Sequence, residues 1–224
     1  MTPEVACEAL HRFANGLPTL RFPVSTTLPA DGIYILFEKG ETGHGGHRIV
    51  RIGSHRGAGN LPKRLAEHTR ANKDRSIFRK NIGRAFLNRS NDPFLKQWDW
   101  DLTSKQKRTV YAHLLDRERQ NAIEMLVTEH IIGNFLFLVI PVADVRYRLM
   151  LESALIATVA HCHGCGASAN WLGNYSPVEA IRSSGLWLKQ HLDGRTLSDQ
   201  QLRALHEISV WRTAVRYQTV VNPA

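Results

Sequence analysis

Gly32-Ile33-Tyr34-Ile35-Leu36-Phe37, closed by Gly40, and Arg48-Ile49-Val50-Arg51-Ile52-Gly53 are the two stretches on which the fold turns. The first is apolar at odd and even positions alike and is bounded by Asp31-Gly32 and Gly40, the pattern of a central strand covered on both faces. A Gly- and His-rich turn, Glu41 to His47, leads into the second stretch, which reads as the antiparallel partner, with Gly53 allowing close backbone approach at its end. Tyr34 is thereby placed on rigid backbone.

The segment Leu61 to Arg70 carries Pro62 where a first helical turn tolerates it, and Leu61 and Leu65 are spaced for one apolar face. Arg64 and His68 stand four apart and therefore stack on one helical face. Further on, Asp144 reads as an N-cap, and Leu149, Leu155, Ile156 and Val159 fall on the same side of the next helix as Glu152. A carboxylate in an apolar stripe is costly unless paired or bound to metal. An ion pair to Arg146 or Arg148 is the plain alternative.

These residues, in this order, resemble the GIY-YIG nuclease family. Gly32-Ile33-Tyr34 is a full first motif, Arg64 and His68 match the Arg and His of the family's first helix, and Glu152 matches its metal-binding Glu. Asn170 matches the family's later Asn, with Asn174 as the fallback. Arg51 departs from the pattern, standing where the family usually has Tyr, which leaves open either lowered activity or a basic side chain serving in its place. The resemblance covers roughly residues 30 to 88 and 134 to 176, and it implies an α+β fold with a small three-stranded antiparallel sheet flanked by helices.

It also implies a mechanism. Glu152 would hold one divalent cation, Mg2+ or Mn2+, against the scissile phosphate. Tyr34 would take a proton from the attacking water, nearby positive charge favouring its phenolate. Arg64, joined by Arg51, would supply that charge and bind phosphate oxygens, Asn170 would donate to another, and His68 would orient Tyr34 or relay its proton.

Charge points to a polyanion independently. The chain of 224 residues has a formal net charge of +9. Between His44 and Ser90 twelve Lys and Arg face only Glu67 and Asp74, so the excess sits around the expected site. Arg56, Lys63, Arg70, Lys73, Arg75, Arg79, Lys80 and Arg84 are the candidate contacts to double-stranded DNA. Phe78, Phe86 and Trp98 are candidate base-stacking rings, although helically spaced aromatics are more often core.

The remaining sequence divides into an N-terminal helical or extended segment, 1–29, and a nuclease-like domain, 30–176, interrupted by a helical insertion at about 89–133. A helical C-terminal extension, 177–224, follows, with Ser198 as N-cap and Leu202, Leu205 and Ile208 on one stripe. In the insertion, Val110, Leu114, Ile123, Leu126 and Val127 follow the helical period, and Glu118, Glu124 and Glu129 read as solvated charges. Phe135 to Ile140 reads as the third strand. It is also the longest apolar run, too short to span a bilayer, and no signal pattern opens the chain, so the expected location is cytoplasmic. Cys7, Cys162 and Cys165 are few and odd in number, as in a reducing compartment. His161-Cys162-His163-Gly164-Cys165 invites zinc, but a second Cys/His pair is not evident, and the segment reads as a reduced loop.

The expectation is a metal-dependent DNA endonuclease, closest among such enzymes to a restriction or defence nuclease working as a homodimer. A structure-selective repair or recombination nuclease, or a weakened member that binds nucleic acid without cutting, are the alternatives. A plain RNA-binding module lacks the expected paired aromatic strands.

Overall fold

The computed structural model describes residues 1–207. The apolar stretch forms strand β2 (Gly32–Gly43) and its partner β3 (Gly46–Gly53), an antiparallel hairpin as expected. The Phe135 run forms β4 (Phe135–Pro141), antiparallel to β2 on its other side. A fourth strand, β1 (Leu20–Arg21), pairs with β4 and gives the order β1-β4-β2-β3. The sheet therefore has four strands, one more than the sequence suggests. Two residues carry no readable alternation, and only their pairing with Leu136 and Phe137 defines β1.

Strand β2 is buried on both faces because helices cover both sides of the sheet. Ile33, Ile35 and Phe37 pack with α1 (Pro3–Asn15) and α7 (Val145–Ala160), through Cys7, Leu10, Leu151 and Leu155. Tyr34 and Leu36 face the other layer, formed by α2 (Leu61–Ala66), α3 (Ile77–Arg89) and α6 (Arg117–Asn134), through Leu65, Phe78, Ile82 and Val127. Phe78 and Trp98 are fully buried in this second core, which removes them as base-stacking surfaces, and Phe86 packs edge-on against His130. Asp144 caps α7 by accepting from the Tyr147 N–H, as its position suggests.

The pairing of β2 with β3 slips once: Leu36 faces Arg51, whereas Phe37 faces Ile49. Val50 is the extra residue, and the bulge sends Val50 and Arg51 to the same core as Tyr34. The Val50 carbonyl accepts from the Trp187 N–H at 2.8 Å, which lays the segment after α8 (Glu179–Ser184) along the sheet's edge strand.

Between α3 and α6 lie two short helices, α4 (Leu95–Trp98) and α5 (Lys105–Tyr111), so this stretch is helical. Its attachment uses charge that the sequence alone assigns to DNA. Buried Arg79 donates to Glu124 Oε2 at 2.6 Å, and the Lys73 N–H donates to the same carboxylate. Lys73 and Lys80 Nζ reach the carbonyls of Trp100 and Asp99, and Arg84 pairs with Asp99 at 2.6 Å. Lys73, Arg79, Lys80 and Arg84 thus clamp this stretch and α6 to α3 and the loop before it, and Glu124 is a buried partner rather than a solvated charge. Glu118 and Glu129 are exposed, as read, while Val110, Leu114 and Leu126 turn outward.

Ser198 caps the following turn by accepting from the Gln201 N–H at 3.2 Å, and Leu205 is buried. Ile208 lies outside the described residues. Among those residues no helix is long and apolar enough to cross a membrane.

Candidate active site

A cleft of about 490 Å³ opens at the Gly53 end of the hairpin, lined by Tyr34, Arg51, Arg64 and Glu152 together with residues of the Ser54–Asn60 loop. Tyr34 reaches it because Gly53, its cross-strand partner, has no side chain: a Cβ there would overlap the Tyr34 phenol. Gly32 has a comparable role, since a Cβ on it would press on the Ile140 carbonyl of β4. The motif glycines therefore keep the strands close and the phenol in place.

Helix α2 is shorter than the pattern suggests and ends at Ala66; His68 sits in the turn that follows, its N–H donating to the Leu65 carbonyl. It still meets Tyr34. Nε2 of His68 lies 3.0 Å from the Tyr34 hydroxyl, and Nδ1 lies 2.9 Å from Ser76 Oγ. Complete burial pushes the His68 pKa well below its ordinary value, and the charges of Arg64, Arg51 and Arg79 add to the effect. The imidazole is neutral, with one nitrogen free to accept.

Arg64 donates to Glu67 at 3.4 Å and to the Arg75 carbonyl at 3.2 Å. Burial opposes its charge, but Tyr34 and Glu67 outweigh that and raise its pKa. Arg51 is buried, with its guanidinium 5.2 Å from the Phe78 ring centroid and one Nη donating to the Trp187 carbonyl. Its Nε has no partner, and no carboxylate among the described residues pairs with it.

Glu152 extends from α7 into the same cleft. Neither Arg146 nor Arg148 pairs with it. Arg146 is exposed, and Arg148, four residues earlier on the helix, is buried and donates to Asp31 at 3.2 Å and to the carbonyls of Val142, Ala143, His55 and Gly57. Arg148 thus fixes the loop beside Glu152. Among the described residues, the hydrogen bond to Glu152 comes from the Ser54 hydroxyl, at 2.5 Å. A half-buried carboxylate and a hydroxyl, with no cationic side chain among the described residues on the carboxylate, form an oxygen donor set that suits a hard divalent cation.

Asn170 and Asn174 do not line the cleft. Asn170 lies in an exposed turn, and the Asn174 amide donates to the carbonyls of Ser168 and Ala169. Glu41 holds Ser168, and Glu38 accepts the indole N–H groups of Trp171 and Trp187 at 2.8 Å each. These anchors lie toward the far end of β2 from Tyr34. Gln190 and His191 line the cleft instead, carried there by the segment that Trp187 pins to Val50. No spacing signal marks them in the sequence. Ser54 and His55 follow Gly53 directly, and the strand end itself could have drawn attention to them. Burial and the charge of Arg148 lower the His55 pKa, and its Nε2 accepts from the Gly32 N–H at 3.3 Å.

Arg56 and Lys63 are exposed at the cleft; Arg70 and Arg75 are exposed nearby in sequence, beyond α2. A hairpin presenting a tyrosine, a helix presenting an arginine and a later helix presenting a glutamate define the GIY-YIG class of fold. The model of the GIY-YIG domain matches residues 8–213, and the chain belongs to that family. Its members are generally endonucleases that act on DNA with a divalent metal, so nuclease activity is the coarse function that membership supports. Among curated proteins and solved structures, none matches this chain.

Proposed function

We propose that the chain is a divalent-metal-dependent DNA endonuclease and that its biological role is restriction or defence. The observation that carries the reading is Glu152, a carboxylate in a cleft rimmed by arginines that no cationic side chain among the described residues neutralises. Bound there beside Ser54, Mg2+ or Mn2+ would stabilise charge on the scissile phosphate and on the leaving oxygen.

The chain's own residues account for the rest. Tyr34 donates its hydroxyl proton to neutral His68 Nε2 while its oxygen accepts a proton from the attacking water, and His68 keeps its own proton on Nδ1, from which it donates to Ser76 Oγ. Arg64 offers its fork of N–H groups to the non-bridging oxygens. Arg51, with a spare buried N–H, takes over phosphate binding in place of the family's second tyrosine. Gln190 occupies the cleft where an amide donor was expected from Asn170. Arg56, Lys63, Arg70 and Arg75 contact the DNA backbone on either side. One such site per chain cutting both strands of a palindrome calls for a homodimer, and the working compartment is the cytoplasm.

The test is incubation of the purified chain and of Glu152→Ala with a long unmethylated phage DNA in Mg2+ or Mn2+. Discrete fragments that disappear in the variant are expected. Intact DNA despite tight, salt-sensitive binding would overturn the restriction reading. Cleavage of branched substrates would then indicate a structure-selective enzyme, and no cleavage at all a binder in which Arg51, held by Trp187 and Phe78, is structural.

A further inference from the structure

Four metal-ligating side chains meet at the end of the sheet remote from Glu152. Cys7 comes from α1, His44 from the tip of the β2–β3 hairpin, and Cys162 and Cys165 from the turn after α7; their ligand atoms all lie within 4.8 Å of one another. The sequence shows only the Cys162/Cys165 pair, because Cys7 and His44 are more than a hundred residues away and are brought in by folding. We infer that Cys7, His44, Cys162 and Cys165 form a structural zinc site.

The geometry matches tetrahedral thiolate and imidazole coordination. Zn–S near 2.3 Å and Zn–N near 2.0 Å place ligand atoms about 3.8 Å apart for two sulfurs and about 3.5 Å apart for sulfur and nitrogen. Here Cys7 Sγ and Cys165 Sγ are 3.5 Å apart, and His44 Nε2 is 3.3 Å from Cys162 Sγ. The three thiols are buried, and the Cys-x2-Cys spacing on a tight turn is that of a zinc knuckle. Three thiols and one imidazole, with no carboxylate in the group among the described residues, suit a closed structural site.

The surroundings leave room for the cluster. A Cβ on Gly43 would come within 3.1 Å of Cys165 Cβ, and one on Gly164 within 3.4 Å of the His44 ring. His44 holds φ 50, the left-handed conformation that this hairpin tip requires. His11 is a supporting residue rather than a ligand. Its Nε2 accepts from the Ile49 N–H at 3.1 Å, so Nδ1 carries the proton and donates to the Cys7 carbonyl at 2.9 Å, with Cys7 Sγ 3.4 Å away. This is the kind of outer partner that orients a metal ligand. A bound ion would tie α1, the hairpin tip and the end of α7 together.

The test is metal content of the full chain, purified without chelator from zinc-supplemented cells, together with the absorption of the chain refilled with Co2+. About one zinc per chain, thiolate-to-cobalt charge transfer with tetrahedral d–d bands, and a Tm lower by at least about 5 °C after chelation are expected. Cys162→Ser and His44→Ala should lose the zinc, and His44→Cys should keep it. Glu152→Ala should keep it too, which separates this site from the catalytic one and makes the result independent of the nuclease reading. Wild-type chain with well under 0.2 zinc, roughly, and no cobalt spectrum would overturn the inference. So would a Cys7–Cys165 disulfide found by mass spectrometry in protein handled under reducing conditions.

Discussion

The Tyr34 hydroxyl lies 3.0 Å from Nε2 of His68, whose other nitrogen is 2.9 Å from Ser76 Oγ, so the phenol is held by a buried, neutral imidazole that is itself held. The arrangement ties the first motif of the strand to the turn after α2. His68→Ala should lower kcat by about 10² to 10⁴ while leaving DNA affinity within a factor of about two, since His68 is buried beneath the phenol. Single-turnover cleavage and a binding titration on the same DNA measure the two; an equal loss in both would sink the positioning role.

His68 also sets a pH dependence. Its folded pKa is well below the ordinary 6.5, so the unfolded chain binds a proton that the folded chain refuses. Stability is therefore fully present above about pH 6.5 and falls as pH drops below it toward the folded value. His11, lowered to about 4 by burial, and His55 act in the same direction. Tm should fall steadily from pH 7 to 5, and His68→Gln should flatten part of that slope; a pH-independent Tm in the wild type would contradict it.

Gly53→Ala should abolish most cleavage with the fold retained, because the added Cβ overlaps the Tyr34 phenol and must push it aside. A misplacement of about 1 Å is worth roughly 100-fold in rate. Circular dichroism and rate measurements on Gly53→Ala and Tyr34→Phe should agree in activity, both inactive and both folded.

The basic residues should separate into two groups. Arg79→Ala strands buried Glu124 and should cost about 3 to 5 kcal/mol of stability. Arg70→Ala and Arg75→Ala, both exposed, should leave Tm nearly unchanged and each lower the slope of log affinity against log salt by about one. Denaturant unfolding and salt-dependent binding distinguish them; a reduced salt slope in folded Arg79→Ala would contradict the division.

The local pattern determined a good deal by itself. The apolar run from Ile33 to Phe37 fixed a strand covered on both faces, and Gly32 and Gly53 marked where backbones and a phenol come close. Asp144 set the start of α7, and thereby the face on which Glu152 stands. Such features are legible because they depend on periodicity and sterics among neighbours in the chain. Tertiary structure decided the rest. The bulge at Val50 put Arg51 beside Phe78, and Trp187 brought Gln190 to the cleft, which Asn170 does not line. Arg79 went to Glu124 instead of to solvent, and folding carried Cys7 and His44 to Cys162 and Cys165. Each of these joins residues far apart in sequence, and which charge is buried or which thiols meet depends on contacts that only packing creates.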